Sequence, residues 1–246
     1  MPAETPTILA TSGGYVAPAD ASRQYDLGPL LHHAVGLSGA TGRAPRVLFV
    51  GTATGDQPER QAAVAAAGRA AGFDVDHLRL FPMPDHEDLQ EFVLAQDVVW
   101  VGGGSVANLA AVWRVHGLDT VFQVAWEAGV VLAGCSAGSI CWHVGGTTDS
   151  FGPRLRPFTK GLALLPWGNG VHYDAEEQRR PLTHRLVAEG VLPTTYCTDN
   201  GVGLVYSGTE LVEAVSERPG AGAYRVDRDP VSGEATETAL PVRSLV

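Results

Sequence analysis

Basic charge is scarce in this chain. Of 246 residues, 17 are Lys or Arg against 27 Asp or Glu, a formal charge of −10, and no basic cluster stands out. Nucleic acid and anionic membranes are therefore not expected as partners, because both are held by clustered Lys and Arg. An anionic small substrate would need a local arginine. Cysteine is scarcer still: Cys135, Cys141 and Cys197 are odd in number and lack metal-ligand spacing. That pattern predicts a reduced, cytoplasmic protein with no metal, cofactor or disulfide framework. No apolar run nears the roughly 18 residues of a membrane span. The opening MPAETPTILATSGG has neither the basic stretch nor the long apolar core of a secretory leader.

What the chain does have is core-forming material. Hydrophobic residues make up 45% and charged ones 18%, the latter below the roughly 25% of an average soluble domain. A sizeable buried core follows, and disorder does not. Without repeat, linker or low-complexity tract, residues 1–246 read as one domain.

Short β-branched runs alternate with helical spacing. Residues 7–11 predict a strand ending in Ser12-Gly13-Gly14, and Leu27, Leu30, Leu31, Ala34 and Val35 recur as on a helix. Strands are predicted at 47–50, 75–81, 98–101 and 130–133, and helices at 58–71, 87–95, 106–115 and 120–128. Such alternation predicts an α/β fold: three layers, a mostly parallel sheet with helices on both faces. After Asp149 the texture changes to Gly, Pro and short β-like runs at 162–165, 202–206, 211–215 and 223–226. One helix is expected over 176–188, interrupted early by Pro181. The last third should add antiparallel edge strands.

Gly134-Cys135-Ser136-Ala137-Gly138 follows an apolar strand and precedes a short helix expected over 139–144. This is a G-x-S-x-G nucleophile elbow in strand–turn–helix context. Small neighbours are required because the serine sits on a sharp, strained turn, and the helix start aims N–H groups at a developing oxyanion. A second turn, Gly102-Gly103-Gly104, also ends a strand and starts a helix, so in a parallel sheet it shares the ligand-binding carboxyl edge. N–H groups there suit the other half of an oxyanion hole. A phosphate loop is disfavoured, since no Walker lysine follows and G-x-G-x-x-G is incomplete. A plain glycine-rich βα turn is the bland alternative.

Leu132 to Trp142 (LAGCSAGSICW), Val101 to Leu109 (VGGGSVANL), Thr147-Thr148-Asp149 and Val171-His172-Tyr173 together resemble the peptidase E family. These are aspartyl dipeptidases related to cyanophycinases, with a fold similar to class I glutamine amidotransferases. The resemblance runs from Thr7 to about Val215. It implies a metal-free serine peptidase, Ser136 the nucleophile, cleaving small peptides after an N-terminal acidic residue.

Among eight histidines, His172 stands in a glycine-rich strand end and matches the family's catalytic histidine. Two carboxylates compete to orient it: Asp149, giving the order Ser…Asp…His, and Asp199, giving Ser…His…Asp. The resemblance favours Asp199, where the family usually has Glu. It gives Asp149 a supporting or substrate-positioning role. Gly103, Gly104 and Ala137 are the expected oxyanion donors. Arg179 and Arg180 fall where the family carries an Arg-containing stretch and are candidates for a substrate carboxylate. Ser105 and Asn108 replace the family's usual Asn and Gln after the triple glycine. The rival readings are an amidotransferase-like enzyme using cysteine and a non-catalytic binder of a peptide or metabolite. A homodimer is neither required nor excluded.

Overall fold

The structure is a computed structural model that describes residues 3–246. The first half runs β1 (Thr7–Thr11), β2 (Tyr15–Val16), β3 (Asp26–Leu27), α1 (Pro29–Leu37), β4 (Arg46–Val50), α2 (Pro58–Ala71), β5 (Asp74–Leu78) and α3 (Leu89–Leu94). Then come β6 (Val98–Val101), α4 (Val106–Val115), α5 (Leu118–Glu127), β7 (Val131–Cys135), α6 (Ala137–Ile140), β8 (His143–Thr148), β9 (Arg156–Phe158) and β10 (Leu165–Gly170). The chain closes with α7 (Arg179–Ala188), β11 (Thr195–Thr198), β12 (Val202–Ser207), β13 (Glu210–Ser216), β14 (Ala223–Arg228), β15 (Ala235–Leu240) and β16 (Val242–Ser244).

The main sheet has the order β16-β13-β12-β1-β7-β6-β4-β5. Strands β1, β7, β6, β4 and β5 are parallel neighbours. Their continuous apolar runs follow from burial on both faces: β1 and β6 are buried at every position. Helices α1 and α2 cover one face, where Leu30, Leu31, Val64 and Ala67 pack on Leu9, Phe49, Trp100 and Ala133. On the other face Leu109, Trp113, Phe122 and Ile140 of α4, α5 and α6 pack against Ile8, Leu48, Val99 and Leu132.

The C-terminal third does add antiparallel edge strands, β12 and β13, beside β1. It also contributes to something the sequence pattern does not announce: a second sheet of order β15-β14-β11-β10-β8-β9. Two of its strands, β8 and β10, are short and glycine-rich. In β10 a Cβ on Gly168 would lie 2.2 Å from Thr195 Oγ1 of β11, so only glycine lets these strands approach. Helix α7 covers the outer face of this sheet through Leu182, Leu186 and Val187.

Four boundaries move, the first being the strand expected over 75–81, which ends at Leu78. The helix expected over 139–144 is the single turn α6, because the chain turns at once into β8 to enter the second sheet. The β-like run at 162–165 reaches strand geometry only from Leu165 onward. The helix expected from 176 begins at Arg179, which places Pro181 in its first turn, where no intrahelical donor is needed. Among the described residues no helix is long and apolar enough to cross a membrane.

Candidate active site

Four non-glycine residues among those described have positive φ: Asp56, Ser136, Ala163 and His172. Such backbone is costly and tends to persist where function requires it. Two of the four are the expected nucleophile and base.

Ser136 has φ 59° and ψ −113° and caps α6. Its N–H donates to Thr11 O at 3.0 Å, and its carbonyl accepts from Ser139 and Ile140. The flanking glycines are there for space. A Cβ on Gly138 would sit 2.2 Å from Val101 O, and one on Gly134 would sit 2.5 Å from Gly138 O. The end of β6, the end of β7 and α6 are therefore packed backbone to backbone. The next turn of chain after β6 passes directly against the serine: a Cβ on Gly103 would be 3.1 Å from Ser136 Cβ and 3.7 Å from its Oγ. Gly104, at φ 140°, is pressed against Ala53 O. Among the described residues the Gly103 and Gly104 N–H groups find no acceptor in the protein. The Ala137 N–H is the first of α6 and has no intrahelical partner by geometry. Of the three expected donors, Gly103 lies directly against Ser136, Ala137 follows it in the chain, and Gly104 packs on Ala53.

His172 follows β10 of the second sheet. Its N–H donates to Ser12 Oγ at 3.1 Å, and its Nδ1 lies 2.6 Å from Asn200 Oδ1. An amide oxygen accepts, so Nδ1 is the donor in this contact, which leaves Nε2 as the acceptor of the neutral tautomer. No hydrogen bond joins Ser136 Oγ to the ring in this structure; catalytic contacts of this kind often tighten only around substrate.

The sequence reading placed a carboxylate, Asp199, behind this imidazole. The structure puts Asn200 there instead. Both residues lie in the turn after β11, closed by Val202 N donating to Asp199 O, and there their side chains part: Asp199 faces Gly222 and Tyr224, and Asn200 faces the histidine. Asp199 Oδ2 accepts from Gly222 N at 2.8 Å and lies 3.5 Å from the Tyr224 hydroxyl, while Oδ1 is buried without a partner. Burial raises its pKa from the ordinary aspartate value. Asn200 is held in turn by Asp174, whose Oδ1 accepts the Asn200 N–H at 2.8 Å and whose other oxygen pairs with Arg218.

Neither expected substrate arginine is free. Arg179 is buried, donates to Thr147 O and Thr147 Oγ1, and pairs with Glu176 at 2.6 Å. Arg180 pairs with Glu237 and lies over the rings of Tyr173 and Tyr224, 4.5 and 4.7 Å from their centroids. The Arg179 guanidinium is used up inside the protein at the start of α7, whereas Arg180 keeps a 44% exposed side chain beside its partners. Asp149 is exposed on the loop after β8 and lines a cavity of about 590 Å³ with Leu155, Glu176, Glu177 and Gln178. That loop is tied to the start of α4 by a contact from Ala107 N to Ser150 Oγ.

Cys135, beside the elbow, has its thiol pushed up to about 12 by burial, and Cys141 and Cys197 are buried with raised pKa values. A thiol so far from ionisation at neutral pH is a poor nucleophile. Among the described residues no three His, Cys, Asp or Glu side chains converge as metal ligands would.

Ser12, Asp174, Asn200 and Arg218 escaped the sequence reading. The one available signal was Asn200, next to Asp199 in the turn before an apolar run.

The model of peptidase family S51 matches residues 19–214. The uncharacterized peptidase YgaJ of Bacillus subtilis (strain 168) is 40% identical over 201 residues, 82% of this chain and 85% of that protein. A crystal structure of a peptidase from an acI-B1 actinobacterium is similar with a TM-score of 0.68 at 17% identity, covering 97% of this chain and 95% of that one. A candidate peptidase E protein from Listeria monocytogenes EGD-e gives 0.58 at 18% identity, over 84% and 96%. At these identities the two structures speak to fold alone.

Proposed function

The chain belongs to peptidase family S51, and from that premise we propose that it is a cytoplasmic serine exopeptidase hydrolysing small peptides. The observation that carries the reading is that Ser136 and His172 both hold positive-φ backbone and hang from consecutive residues, Thr11 and Ser12, with His172 Nδ1 2.6 Å from Asn200 Oδ1. His172 Nε2 takes the proton of Ser136 Oγ as the new Oγ–C bond forms. The oxyanion is met by N–H groups from Gly103 or Gly104 and from Ala137. The imidazolium then gives its proton to the leaving amine as the C–N bond breaks, and water repeats the cycle on the ester. In this scheme Asn200 fills the orienting role and Asp199 braces Gly222.

A preference for N-terminal Asp, implied by the family resemblance, gains nothing from Arg179 or Arg180. The cysteine-dependent rival is disfavoured by the high thiol pKa of Cys135. The test is a dipeptide panel, including matched Asp-X and Asn-X, with Ser136→Ala as the blank and an organophosphonate as the active-site label. Turnover abolished and labelling lost in the alanine variant support the proposal. A variant retaining a tenth of wild-type turnover removes Ser136 from it. Binding without turnover of any peptide points to the non-catalytic reading.

A further inference from the structure

The proposed nucleophile and base stand on different sheets. Ser136 directly follows β7 of the main sheet, and His172 follows β10 of the second. Their relative placement therefore depends on whatever joins the two carboxyl edges. The last residue of β1, Thr11, holds the elbow: its carbonyl accepts the Ser136 N–H, and its Oγ1 lies 3.0 Å from Gly134 O. The next residue, Ser12, reaches the other way. Its backbone is locked by Ser12 N to Val202 O at 2.8 Å and Gly201 N to Ser12 O at 3.0 Å. Its hydroxyl accepts the His172 N–H, sits 2.6 Å from Thr198 Oγ1 and also lies within reach of Thr198 O. Ser12 is 4% exposed and Thr198 fully buried, so water does not readily substitute for these contacts.

We infer that Ser12 is a positioning residue, which sets His172 against Ser136 by anchoring the base's backbone to the strand that anchors the nucleophile's. The inference rests on the reading of Ser136 and His172 as nucleophile and base. The physical need is specific. His172 adopts φ 53°, a conformation that a non-glycine residue abandons unless its surroundings hold it. The Ser12 hydroxyl takes its N–H at that point. With the anchor gone, the peptide at residue 172 is free to relax, carrying the ring with it, and displacements near 1 Å can cost about a hundredfold in rate.

The experiment compares Ser12→Ala, Ser12→Thr and Thr198→Val with wild type and Ser136→Ala, using the best dipeptide of the panel. For Ser12→Ala, kcat should fall about 30- to 100-fold with KM within about threefold, and organophosphonate labelling should slow in parallel. Ser12→Thr, which keeps the hydroxyl, should recover most of both. A merely structural role would lower Tm and the folded fraction but leave kcat per folded molecule and the labelling rate unchanged, and that result overturns the inference. If Ser12→Ala does not fold, Thr198→Val decides: a drop of about 3- to 10-fold in kcat and labelling is expected, and wild-type rates refute. Turnover surviving in Ser136→Ala instead defeats the serine reading itself, whatever Ser12 does.

Discussion

Acid should weaken this protein through one buried histidine, and the size of the effect can be worked from the structure. His143 is fully buried at the start of β8, with Nδ1 2.9 Å from Ser139 O in α6 and Nε2 3.4 Å from the Tyr206 hydroxyl. The neutral ring meets both neighbours, donating from Nδ1 and accepting at Nε2. A second proton would place an unpaired cation in the core, and burial pulls the pKa from its ordinary 6.5 down to about 4. Between those values the unfolded chain binds the proton and the folded one does not. Stability is therefore complete above about pH 6.5 and is lost as the pH falls toward 4. That gap, at about 1.4 kcal/mol per unit, is worth about 3 kcal/mol. His143→Gln removes the titration while keeping polar atoms near both neighbours. The variant should be less stable at pH 8, yet lose about 3 kcal/mol less than wild type between pH 7 and pH 4. Urea unfolding followed by tryptophan fluorescence at several pH values measures this directly. Because Asp199, Asp56 and Glu217 are common to both proteins, their own raised pKa values cancel in the difference. Parallel curves for the two proteins would refute the argument.

Three further outcomes follow from the site. Asn200→Ala should lower kcat at least about 100-fold through loss of the imidazole's orientation, whereas Asp199→Asn should stay within about fivefold; the reverse ranking returns the orienting role to Asp199. Gly103→Ala places a methyl 3.1 Å from Ser136 Cβ, so phosphonate labelling should slow by about tenfold or more with little change in Tm, and an unaltered labelling rate would show that the loop is not held against the serine. Arg179→Met strands the Thr147 carbonyl and should destabilise by about 1–3 kcal/mol in urea titrations without changing the Asp-X to Asn-X ratio. Collapse of that ratio at unchanged stability would identify Arg179 as a substrate partner after all.

The elbow was legible because its constraints are local. An apolar run buried on both faces, a serine on a strained turn and glycines on either side leave their mark in consecutive residues, and the structure supplies the reason in the close approach of Gly134 and Gly138 to neighbouring backbone. The triple glycine was legible for the same cause, and the parallel half of the main sheet through its alternating runs. The second sheet was not, since strands such as Leu165–Gly170 are written in glycine and proline and gain their identity only from partners. The histidine's neighbour is a tertiary decision too. Antiparallel pairing of β12 with β1 carries residues 200 and 201 to the carboxyl edge of β1, and a change of one residue in the turn would exchange Asn200 for Asp199. Arg179 and Arg180 look alike in the sequence as carboxylate receptors. Packing alone committed one to Thr147 and Glu176 and the other to Glu237 and two tyrosine rings. Ser12 read as no more than the start of a loop. Its hydroxyl meets the N–H of a residue 160 positions away, a contact that exists because two sheets converge, and nothing in the residues around position 12 encodes it.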